Sequence, residues 1–150
     1  MKVQPFVLRP GDYSPALNVV GTKVTVLASN EATRGYEITF QQGDEGTGPP
    51  PHSHGWDESF FVVKGSVEFT CAGKTDLCTP GTLVHVPAGT VHGFRYGPEG
   101  GEMLEITGQG SQATQMFTAV DETTTPGAPE AEEIPKLVKV LEQNGVTLST

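Results

Sequence analysis

Two stretches decide how this chain folds: Gly46–Gly65, GTGPPPHSHGWDESFFVVKG, and Gly81–Tyr96, GTLVHVPAGTVHGFRY. In the first, the prolines at 49–51 exclude helix and hold the approach to His52 extended. On an extended backbone residues two apart point to the same side, so His52 and His54 project together. Glu58, Phe60 and Val62 share their even parity. If the extension persists, two imidazoles and a carboxylate enter one cavity. That donor set suits a borderline divalent metal: Mn, Fe, Co, Ni or Zn. A further ligand must come from elsewhere, and His92 is available, opening a strand after the turn that contains Gly89.

Around these stretches, short β-like runs alternate with turns. They lie at Val3–Arg9, Thr22–Ala28, Gly35–Gln42, Asp57–Lys64, Ser66–Cys71, Asp76–Thr79, Thr82–Val86, Val91–Tyr96, Glu102–Thr107 and, more weakly, Gln115–Val120. That is about ten strands, the pattern of an all-β sandwich or barrel. The 19 glycines and 12 prolines supply the turns and argue against a helical bundle. Residues 121–133, DETTTPGAPEAEE, carry five acids, no base and two prolines and read as a solvated linker. Beyond it, Pro135–Asn144 reads as a short amphipathic helix, with Leu137, Val138 and Leu141 on one face and Asn144-Gly145 as the stop. The expected organisation is one domain over 1–150. Its β part covers about 1–120, its linker 121–133 and its helix about 135–144. At 150 residues it is large enough to fold without disulfide or metal staples.

The formal net charge of −9 disfavours nucleic acid and anionic membrane surfaces as partners. The longest run of large apolar residues, Phe60–Val63, is far short of the ~20 needed to cross a bilayer. The N-terminus has no apolar core of signal-peptide length. The expectation is a cytoplasmic protein with no membrane or nucleic-acid partner. Cys71 and Cys78 are too few for a disulfide scaffold and read as reduced thiols flanking a hairpin turn.

The two quoted stretches resemble the paired motifs of the cupin superfamily. The first motif, G(x)5HxH(x)3–4E(x)6G, is met by Gly46, His52, His54, Glu58 and Gly65. The second, G(x)5PxG(x)2H(x)3N, is met by Gly81, Pro87, Gly89 and His92, with Tyr96 where the pattern has asparagine. The resemblance implies a small barrel of the double-stranded β-helix, jelly-roll-like type. It also implies one divalent metal per chain, held by His52, His54, Glu58 and His92. The GPPPHSH…E spacing and the linker-plus-helix C-terminus look like the quercetin-dioxygenase-like branch of small cupins. The implied reaction there is oxygen insertion into a small metal-bound enol or phenol, with Glu58 as the catalytic residue acting as ligand, base or both. Two other readings stay open: a non-oxidative metal-dependent isomerase or polyketide cyclase, and a non-enzymatic small-ligand-binding module. Small cupins are often dimers, so a homodimer is expected by analogy.

Tyr36, Ile38 and Phe40 share one side of the alternating run Gly35–Gln42. With Phe60, Val62, Phe94 and Met103 they are candidates for an apolar pocket wall, ordinary core packing being the competing reading. A one-residue slip of register would invert the set. His85 fits no ligand position and reads as a packed or hydrogen-bonded histidine. Asp57 has the opposite parity to Glu58 and should face away, and Trp56 reads equally as a rim aromatic or as packing.

Overall fold

Two long strands organise the molecule, which a computed structural model describes over residues 2–149. The expected strands at 57–64 and 66–71 are one strand, and so are those at 91–96 and 102–107. In chain order the elements are β1 (Leu17–Val19), β2 (Thr22–Ala28), α1 (Asn30–Thr33), β3 (Glu37–Gly43), β4 (His52–His54), β5 (Glu58–Cys71), β6 (Lys74–Cys78), β7 (Leu83–Val86), β8 (His92–Thr107), α2 (Ala113–Thr123), α3 (Ile134–Gln143) and β9 (Val146–Leu148). The nine strands form one antiparallel sheet that curls into a barrel, with β8 paired to both β3 and β5. The halves of β5 pair separately with β6 and β7.

Gly65 shows why β5 can bend without breaking. Its φ of +71° lies where only glycine sits without strain, and a Cβ there would fall 2.1 Å from the carbonyl oxygen of Gly100. The register shifts at the same place, so the strand bulges and turns onto its second partner.

Burial follows the pleat. Phe60, Val62, Val67, Phe69, Val86, Phe94, Tyr96 and Met103 fill the barrel interior. A second core joins barrel to helices through Val24, Trp56, Met116, Phe117, Val120, Leu137 and Val146. The helix expected at 135–144 is α3, beginning one residue earlier at Ile134.

Three expectations are corrected. Residues 115–120 are helix, not strand: Ala113, Met116, Phe117 and Val120 are the buried positions, a three-and-four spacing that only a helix turns to one side. Residues 3–9 form no strand; they are exposed, and Pro5 and Pro10 remove the amide donors a ladder needs. The segment 121–133 is no plain solvated linker either. It begins inside α2, and the Glu133 carboxylate accepts the backbone N–H groups of Thr125 (2.7 Å) and Glu130 (2.8 Å). Those bonds hold the Glu133 carboxyl below its ordinary value. Among the described residues no helix is long and apolar enough to cross a membrane.

Cys71 and Cys78 are free thiols. Burial raises both above the ordinary thiol value, with Cys78 and Asp76 adding to the rise at Cys71 and Asp76 at Cys78. The thiolate is the reactive form, so a raised value leaves less of it at neutral pH. Alkylation by iodoacetamide at pH 8 should run slower than in the unfolded chain, and its rate should still be climbing beyond pH 9. A rate equal to the unfolded control at pH 8 would contradict this.

Candidate metal centre

The proline run lies against β8 because glycines let it. A Cβ at Gly93 would meet Pro49 O and Pro51 N at 3.1 Å, and one at Gly48 would meet Phe94 O at 2.0 Å. Held this close, β4 pairs with β8 through His52 and His92, and with β9 on its other edge. The Pro87–Gly89 turn is tied to the same place: Gly89 donates its N–H to His54 O at 2.8 Å. Asp57, pointing away from Glu58, accepts the Ala88 N–H at 2.9 Å and pins that turn. So the proline run and the glycine turn deliver their histidines to one point.

His54 (7% exposed), Glu58 (5%) and His92 (1%) are buried there, and His52 is partly buried. One ligand atom from each histidine lies within 4.8 Å of the others. Each ring is oriented from behind. Nδ1 of His52 lies 2.8 Å from Pro50 O, Nδ1 of His54 3.1 Å from Trp56 O, and Nδ1 of His92 2.8 Å from Thr90 O. A carbonyl only accepts, so each Nδ1 carries the hydrogen, and in the neutral rings Nε2 keeps its lone pair. Glu58 Oε2 stands 2.9 Å from Nε2 of both His54 and His92. His92 Nε2 lacks the alignment for a hydrogen bond and has no other partner. Lone pairs from neutral rings gathered this closely, with a carboxylate oxygen 2.9 Å from two of them, need a cation or protons between them. The residues therefore fit a divalent metal, and the carbonyl-bound Nδ1 atoms are the outer contacts such ligands ordinarily have.

The electrostatics agree with this. Burial, and then the neighbouring His92, push the His52 imidazole down to about 4, so its lone pair is free throughout the neutral range. At Glu58 burial raises the carboxyl, but the neighbouring His54 and His92 rings and Glu105 outweigh it and hold the group well below the carboxylate range. Burial lowers His92, yet the Glu58 carboxylate more than offsets it and leaves the imidazole raised. Burial and the Glu58 charge drive Glu105 far the other way. Two carboxyl groups this close cannot both ionise, so Glu58 is the charged member and Glu105 keeps the proton.

Sequence reasoning missed Glu105 and the polar row behind it. Thr39 Oγ1 lies 3.3 Å from Glu105 Oε1, and Gln41 Nε2 donates to Thr39 Oγ1 at 3.3 Å. The expected wall of Tyr36, Ile38 and Phe40 is on the wrong face. Tyr36 is 48% exposed, and Ile38 and Phe40 point outward while Glu37, Thr39 and Gln41 are buried. The slip arises because this inner face serves polar neighbours: Thr39 is directly paired with Glu105. The signal was present in β8, where Glu105 has the same parity as the expected inward residue Met103.

Phe60 and Phe94 line the cavity above the donors, while Val62 and Met103 lie wholly within the barrel core. Trp56 is packing, 4% exposed and stacked on His54 at 4.3 Å with 9° between the planes. His85 sits outside the barrel, its Nδ1 2.9 Å from Ser59 Oγ.

Comparison with known proteins reads the same motifs. The family model "Cupin domain" matches residues 37–107, which contain all four donors. Over that stretch the chain is similar to the cupin superfamily. Quercetin 2,3-dioxygenase of Bacillus subtilis (strain 168) is 27% identical over 92 residues, 61% of this chain but only 27% of the relative. Among solved structures, KdgF from Halomonas sp. superposes with a TM-score of 0.67 at 18% identity, over 74% of this chain and 99% of that one. The polyketide cyclase RemF from Streptomyces resistomycificus gives 0.61 at 21% identity, over 70% and 80%. At these identities the structural likeness is one of fold.

Proposed function

We propose that this protein is a metal-dependent enzyme of the quercetin-dioxygenase-like kind, acting on a small enol or phenol. The observation that carries the reading is one ligand atom each from His52, His54 and His92 gathered within 4.8 Å, with Glu58 Oε2 2.9 Å from two of the rings, beside an apolar cavity that His52, His54 and Glu58 line. A divalent transition metal held by His52, His54, His92 and Glu58 would supply Lewis acidity and, if redox-active, dioxygen chemistry. Glu58, held ionised, is placed to accept the proton of an incoming hydroxyl. Glu105, held neutral, keeps a hydrogen bond on Glu58 and fixes the orientation of that base. The apolar walls exclude water from the proton transfer. The likeness to a quercetin 2,3-dioxygenase supports the oxidative reading.

The Glu58–Glu105 pair favours a second reading, since moving a proton between carboxyl and substrate needs no redox metal. That is the non-oxidative isomerase or cyclase. The two part in one experiment: oxygen uptake with a panel of enols and phenols, using protein reconstituted with Mn, Fe, Co, Ni or Zn. The oxidative reading expects oxygen consumption with at least one redox-active metal and none with zinc. Substrate conversion under argon by the zinc protein would replace it with the non-oxidative reading.

A further inference from the structure

The cavity above the donors has walls of two origins. The barrel core contributes Phe60 and Phe94; helices α2 and α3 contribute Met116, Phe117 and Leu137 from the second core. Among the described residues, the polar side chains on its lining besides the donors are Thr22, Gln41 and Glu105, apart from the buried indole of Trp56, and no lysine or arginine lines it. A ligand carrying a second anionic group would bury that charge without a counter-ion, which is strongly unfavourable. The cavity volume is about 120 Å³. An apolar protein cavity of about 150 Å³ takes one benzene. On that scale the buried part of the chamber is matched to about one small ring, and the three-ring skeleton of a flavonol would extend beyond it.

Gln41 marks the polar edge of the chamber. It is 3% exposed, and one end of its amide is engaged by Thr39.

We infer that the chamber accepts a neutral, single-ring phenol or cyclic enol with an apolar body, and that the helical wall, of which Met116, Phe117 and Leu137 are part, sets the one-ring limit. The hydroxyl in this inference rests on the metal-centre reading above; the size and neutrality of the body do not. Both limits come from side chains of α2, α3 and the barrel core, outside the donor set.

The test is a binding series by calorimetry, with zinc-loaded and with metal-free protein. The probes are p-cresol, 2-naphthol and 4-hydroxybenzoate. Wild type should bind p-cresol at least tenfold more tightly than either of the others. Met116→Ala should recover at least tenfold of the lost 2-naphthol affinity at unchanged zinc stoichiometry, and Leu137→Ala offers the same widening if the first variant does not fold. Binding of 2-naphthol or 4-hydroxybenzoate by wild type as tight as that of p-cresol would overturn the inference, as would no p-cresol binding in either form. If the protein takes up no zinc yet ranks the probes as expected, the chamber stands and the metal-centre reading falls. If zinc binds and the ranking is lost, the reverse holds.

Discussion

His92→Ala protein should lose metal almost completely. Removing only an outer partner of a metal-bound histidine typically lowers affinity by about 10–100-fold. Removing a donor should exceed that range. His92 is also the donor that the second motif delivers, so its loss tests whether the two stretches meet as described. The effect has to be read on metal content rather than stability. The barrel core of Phe60, Phe69, Phe94 and Met103 is built from other residues, and the variant should remain folded by circular dichroism. A folded His92→Ala protein with wild-type affinity for zinc or cobalt would contradict the coordination.

The second large effect should come from a residue outside the donor set. Glu37 is 2% exposed. Its Oε1 accepts from Ser111 Oγ at 2.9 Å and from the Thr114 N–H at 3.1 Å; its Oε2 accepts from the Asn30 N–H at 3.3 Å. It thus fastens the start of α2, whose Met116 and Phe117 face the cavity, to the barrel strand β3. Glu37→Ala removes three hydrogen bonds and leaves buried donors unpaired, a loss of about 3 kcal/mol. For a domain of this size that corresponds to a fall of roughly 6–12 °C in Tm. Glu37→Gln, which keeps one acceptor oxygen, should lose about half as much. A change below about 1 kcal/mol for Glu37→Ala by urea unfolding would show that α2 is held by its apolar face alone.

The clustering of the three histidines was legible because its determinants are local. The prolines at 49–51 enforce extension, parity then aligns His52, His54 and Glu58, and Gly89 turns the chain toward His92. The barrel was legible from spacing and turns, and the fusion of β5 and β8 into long strands changes their count but not their faces. The polar half of the site was not legible. A rule that buries apolar residues puts Tyr36, Ile38 and Phe40 inward, whereas β3 buries Glu37, Thr39 and Gln41 instead. Two of them have partners supplied from distant sequence, Ser111 and Thr114 for Glu37 and Glu105 for Thr39, and Gln41 donates to Thr39 beside it. Long-range satisfaction of that kind leaves no mark on a local pattern. Helix α2 was lost for another reason. Six residues of the run Gln115–Val120 are too few to separate helical from strand periodicity, and only Ala113 extends the buried stripe into a helix.

The central claim is that this protein holds one divalent transition metal with His52, His54, His92 and Glu58. It is tested most directly by elemental analysis of protein purified without a metal-affinity tag. The assay compares protein as isolated with protein stripped of metal and then reconstituted at neutral pH with manganese, iron, cobalt, nickel or zinc. The account predicts close to one metal per chain for at least one of these, either as isolated or on reconstitution. That metal should quench or shift the emission of Trp56, the only tryptophan, which is stacked on His54. Folded protein that takes up none of the five metals would contradict it.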